Sequence, residues 1–175
     1  MLDLLREDHR RLKELFAEFE SGNAQTRREV SREILSLVHT HNKVKMKLLY
    51  PRAAGISRDA EELVLRGKEA RHIANLLLLE LKVMPVGPRY FAKVATLIDG
   101  LRAHMQEEEA ELFPLVERSD MDLVELGERM TAMKDAARYG GFLTRDGNGL
   151  RTLIGAGAIV GLGLLIRGVL SRGRR

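Results

Sequence analysis

The chain has 175 residues, enough for one compact domain and some additional material. It contains no cysteine, which excludes disulfides, thiolate nucleophiles and Cys-ligated zinc or iron–sulfur clusters and fits a cytoplasmic protein. The net charge of +4 is carried by the tail: residues 1–120 hold 20 basic and 20 acidic side chains, whereas residues 138–175 hold seven arginines and one aspartate. A neutral main body lacks the clustered cations that phosphate contacts need, so nucleic acid is not an expected partner.

In chain order, the first helix is expected over about Asp3–Glu20, ended by Ser21-Gly22-Asn23. Thr26-Arg-Arg-Glu29 reads as a capping box opening a second helix that runs to Pro51. After the break at Gly55-Ile-Ser57, a third helix spans about Asp59–Lys82. Pro85-Val-Gly87-Pro88 separates it from a fourth, about Arg89–Leu112, stopped at Pro114. Ser119-Asp120 opens a fifth helix, ended by Gly140-Gly141. This predicts an all-α fold, an antiparallel four-helix bundle of two repeated helical hairpins, with an extra helix and an apolar C-terminal helix. The boundaries are 1–118 for the bundle, 119–139 for the additional helix, 140–149 for a linker, 150–171 for a transmembrane helix and 172–175 for a basic tail.

An internal repeat carries the strongest signal. His9 and His41 are 32 residues apart, as are His72 and His104; His9 to His72, His41 to His104 and Pro51 to Pro114 are each 63. The strings His41-x7-Leu49-Tyr50-Pro51 and His104-x7-Leu112-Phe113-Pro114 match, so the two hairpins read as copies of one unit. Leu5, Leu12 and Phe16 flank His9 on one helical face; Ile34, Val38, Val44 and Leu48 flank His41, and Leu97 and Leu101 flank His104. A lone histidine on an apolar face is usually a hydrogen-bonded core residue. Four at matched positions point to one shared metal. His39 lies two residues, about 200° of helix, from His41 and is expected at the surface.

Glu108 follows His104 by one turn and shares its face. The equivalent position after His41 is Lys45. Lys43, Lys45 and Lys47 together could be a solvated stripe, but the register turns Lys45 inward.

Glu7-Asp8-His9-Arg10-Arg11-Leu12, His41-Asn-Lys-Val-Lys45-Met-Lys-Leu-Leu-Tyr-Pro51, Glu69-Ala-Arg-His72 and His104-Met-Gln-Glu-Glu108-Glu-Ala-Glu-Leu-Phe-Pro114 resemble the hemerythrin-like HHE cation-binding family over about residues 1–138. The resemblance implies a non-haem di-iron site for O2, NO or peroxide, or iron handling. His9, His41, His72 and His104 would be ligands and Glu108 one bridging carboxylate. Lys45 stands where a second bridging glutamate belongs, and Leu76 where oxygen carriers have a further histidine. An ammonium there removes two oxygens and one negative charge. Like charges at 4 Å cost about 4 kcal/mol at an effective dielectric of 20. One iron, two, or a metal-free pocket with Lys45 paired to Glu108 all stay open.

Residues 150–170 are apolar apart from Arg151, Thr152 and Arg167. The expectation is a membrane anchor for a cytoplasmic bundle, with Gly157 and Gly161 as a homodimer contact. The leading functional expectation is a membrane-tethered iron-binding protein that binds or senses a small gaseous ligand. The alternative is a degenerate bundle without a full di-iron site, acting as a structural or interaction module. No nucleophile triad or phosphate loop marks an enzyme, and a ferritin-type carboxylate set is not what the repeat places inward.

Overall fold

The computed structural model of the chain describes residues 1–145 and is helical throughout, with short connections. The first hairpin comprises α1 (Leu2–Ser21) and α2 (Ala24–Val44). α2 is capped by Asn23, whose side-chain oxygen accepts from the backbone N–H of Gln25 and Thr26. The helix therefore opens before the expected capping box, because an asparagine oxygen reaches the free N–H groups of the first turn equally well. The second hairpin comprises α4 (Arg58–Val83), capped by Ser57, and α5 (Pro88–Glu107), which opens on a proline. α1 packs on α2, α4 on α5, and α1 also on α5.

Pro51 and Pro114 do not end their helices. α2 runs through a π-helical stretch, Lys45–Leu49, into α3 (Tyr50–Ala53), and α5 runs through an equivalent stretch, Glu108–Leu112, into α6 (Phe113–Glu117). Proline lacks an N–H, and its ring crowds the carbonyl four residues back. A widened turn just before it relieves that conflict: the Tyr50 N–H reaches the Lys45 carbonyl and the Phe113 N–H the Glu108 carbonyl, five residues back. Both π stretches begin on the residues at issue, Lys45 and Glu108, at equivalent positions of the repeat.

Two apolar clusters result. One contains Leu5, Val44, Leu48, Tyr50, Val64 and Phe113, joined by Leu126 and Met130 of α7 (Leu123–Arg145); the other contains Leu12, Phe16, Ile34, Val38, Ala74, Leu97 and Met105. His9 lies in sequence between Leu5 and Leu12, and His41 between Val38 and Val44, so the polar pocket falls between the two clusters.

Residues Met1–Met133 form one compact unit. α7 continues through Gly140-Gly141, where a helix end was expected; a glycine inside a helix costs only about 1 kcal/mol. The expectation of membrane anchoring is corrected: no helix among the described residues is long and apolar enough to cross a bilayer. Leu150–Leu170, with Gly157 and Gly161, lies outside those residues.

Candidate metal centre

The three side chains that converge most closely are His9 from α1, His41 from α2 and Glu108 from the end of α5; each is buried and offers a ligand atom within 4.8 Å of the others. His9 Nε2 lies 3.3 Å from His41 Nε2 and 3.6 Å from Glu108 Oε2. Donors held about 2.1 Å from one ion stand about 3.0–3.4 Å apart; the two histidine nitrogens fall in that range, and Glu108 Oε2 lies slightly beyond it.

The outer nitrogens of both rings are fixed. His41 Nδ1 donates to Asp8 Oδ2 at 3.1 Å, and His9 Nδ1 donates to Glu109 Oε1 at 2.8 Å. Lys13 Nζ holds Glu109 from the other side at 2.9 Å. Burial works against an ionised Glu109, and hydrogen bonds from Lys13 and His9 outweigh it, so its carboxyl sits below the usual range. Carboxylate-to-histidine contacts of this kind set the tautomer that leaves Nε2 as the ligand atom. Burial, aided by the charge of Lys45 and opposed by Asp8, lowers His41 to about 4, so its ring is neutral at pH 7. Two imidazole lone pairs facing each other at 3.3 Å call for a cation between them, a proton or a metal.

Lys45 fills the other side of the pocket. It is buried, while Lys43 and Lys47 are exposed, as the register required. Its Nζ donates to Glu108 Oε2 at 2.7 Å and to His104 Nε2 at 3.0 Å. Tyr50 Oη donates to Glu108 Oε1 at 2.8 Å and lies 3.2 Å from His104 Nε2. Burial opposes charge on Glu108, but the Lys45 ammonium beside it holds its carboxyl well below the usual range. Burial and the Lys45 charge lower His104 to about 4. Burial and the Glu108 carboxylate raise the Tyr50 hydroxyl, so it stays protonated as a donor.

Of the residues expected to ligate, His9, His41, Glu108 and His104 meet in the pocket. His72 does not; its side chain is exposed on α4. α4 turns Ala60, Val64, Gly67 and Ala74 inward instead. Gly67 is where the hydroxyl of Tyr50 passes: a Cβ there would lie 2.3 Å from Tyr50 Oη and 3.2 Å from His104 Cε1. His39 is exposed, as expected.

Asp8, Glu109 and Tyr50 also border the pocket, although the sequence motifs alone give them no role there. Phe113, the repeat partner of Tyr50, has no hydroxyl; it stacks on His9 with ring centroids 5.7 Å apart.

The model of the hemerythrin HHE cation-binding domain matches residues 1–116. Among solved structures, the chain resembles a hemerythrin HHE cation-binding domain-containing protein from Mycobacterium kansasii, at 25% identity and a TM-score of 0.66, covering 84% of this chain and 92% of that one. No curated protein matches the sequence. With His9, His41 and Glu108 gathered in one pocket and the family model covering most of the described residues, this chain belongs to the hemerythrin HHE cation-binding family.

Proposed function

We propose that the chain binds a divalent transition-metal ion through His9, His41 and Glu108, and that the ion is non-haem iron used for a small gaseous ligand such as O2 or NO or for iron handling. The observation that carries this is the pair of oriented imidazoles: Asp8 and Glu109 fix both outer nitrogens, leaving two Nε2 lone pairs 3.3 Å apart. Two imidazoles and a carboxylate are a donor set that suits iron. The metal, when held, supplies open coordination positions. The chain's own residues orient the donors, exclude bulk water by burial and keep a Tyr50 proton beside Glu108.

One observation favours a second reading, a metal-free bundle that serves as a structural or interaction module: Lys45 already satisfies Glu108. Elemental analysis of the purified full-length chain, with thermal melting before and after chelation, separates the two. The metal reading expects bound iron and a lower melting temperature after its removal, because a ligand held only by the folded state stabilises it. A chain without metal, whose melting is unmoved by chelator, supports the second reading.

A further inference from the structure

The repeat lets each half of the pocket be compared with the other, residue by residue, at a spacing of 63. In the first half, Asp8 orients His41, Glu109 orients His9, and Glu108 adds a carboxylate. The equivalent positions in the second half are Arg71 for Asp8, Met46 for Glu109 and Lys45 for Glu108. None of the three is a carboxylate acceptor. An arginine cannot accept the His104 Nδ1 proton, and both His104 Nδ1 and Arg71 Nε are buried without a hydrogen-bond partner. A methionine offers His72 only a weak thioether acceptor, and the His72 side chain is turned to solvent. The remaining ligand atom of that half, His104 Nε2, is 3.0 Å from Lys45 Nζ.

We infer that the chain holds one cation rather than two, with the Lys45 ammonium standing in the second cation's place between His104 and Glu108. The inference rests on the metal-binding reading above and specifies its stoichiometry. Lys45 thus opposes a second ion at this position, alongside the missing acceptors at Met46 and Arg71. It does so by contributing a positive charge to the carboxylate that a second ion would otherwise share, and by capping the lone pair of His104.

The test is a titration of metal-free, full-length chain with Co2+, counting ions by visible absorption and equilibrium dialysis. One ion per chain is expected for the wild type. His104→Ala should keep that ion, while His9→Ala should lose it. Lys45→Met should still bind one ion, about tenfold or more tightly, because a like charge close to the ion is gone. The triple variant Lys45→Glu/Met46→Glu/Arg71→Asp, which restores the acceptors of the second half, should take up a second. Two ions in the wild type, or loss of the ion in His104→Ala, would overturn the inference while leaving the metal-binding reading in place. No ion in the wild type would overturn both. If the triple variant does not fold, the wild-type, His104→Ala and Lys45→Met counts decide.

Discussion

Lys45 Nζ lies 2.7 Å from Glu108 Oε2, and the two residues occupy the same position in the two copies of the repeat, 63 residues apart. A pocket that its fold lines symmetrically has become electrostatically one-sided. Glu108 belongs to the second hairpin and Lys45 to the first, and each begins a π-helical stretch imposed by a proline six residues later.

Removing one member of that buried pair leaves the other uncompensated. In chelated protein, Glu108→Ala should lower the unfolding free energy by about 3–5 kcal/mol. Adding Lys45→Met to Glu108→Ala should recover most of the loss, since the stranded charge is then gone. Urea denaturation of the wild type, Glu108→Ala and the double variant checks this. A Glu108→Ala chain as stable as the wild type would mean that Lys45 has another anionic partner.

Tyr50 reaches Glu108 past the bare Cα of Gly67. Gly67→Ala would set a methyl group against the hydroxyl and should cost about 1–3 kcal/mol of stability. In a Tyr50→Phe background, where the crowded oxygen is absent, the same substitution should cost clearly less. Equal costs in both backgrounds would show that the ring carbon Cζ, 2.9 Å from the same position, rather than the hydroxyl requires glycine.

The metal-free pocket should be acid-sensitive. His41 and His104 are each lowered to about 4 in the fold, against about 6.5 for an unfolded chain. Between those values the unfolded chain binds more protons, so stability falls as the pH drops from about 6.5 to about 4, by up to about 3 kcal/mol for each imidazole. Glu108, held well below its usual value, keeps its contribution above about pH 4.5 and loses it only at lower pH. Denaturation midpoints of chelated protein at about pH 7, 5.5 and 4.5 should decline in that order; a flat profile would contradict the burial of neutral rings.

The repeat and the inward stripes around His9, His41 and His104 were legible in the sequence because Leu5, Leu12, Val38, Val44, Leu97 and Leu101 mark one face of each helix. The same pattern turned Lys45 inward. The third long helix gave no such mark. Lys68 and Glu69 precede His72 at one-turn spacing, while Leu65, Ile73, Leu76 and Leu79 are apolar yet exposed, so apolar content alone does not reveal which face of α4 is buried. Equal spacing placed His72 in the repeat but not in the pocket. Pro51 and Pro114 read as stops, because a helix that widens before a proline leaves no separate mark in the sequence. Tyr50 stood within the repeated Leu-Tyr-Pro string, where its likeness to Phe113 concealed the hydroxyl that matters.

Under the proposed function, two oriented histidines and Glu108 hold the metal and the exposed His72 does not. Iron per chain, measured by elemental analysis on wild type, His9→Ala and His72→Ala expressed and purified in parallel, tests it most directly. His72→Ala should retain the wild-type iron content and His9→Ala should lose it. Loss of iron in His72→Ala, or equal iron in all three proteins, would contradict it.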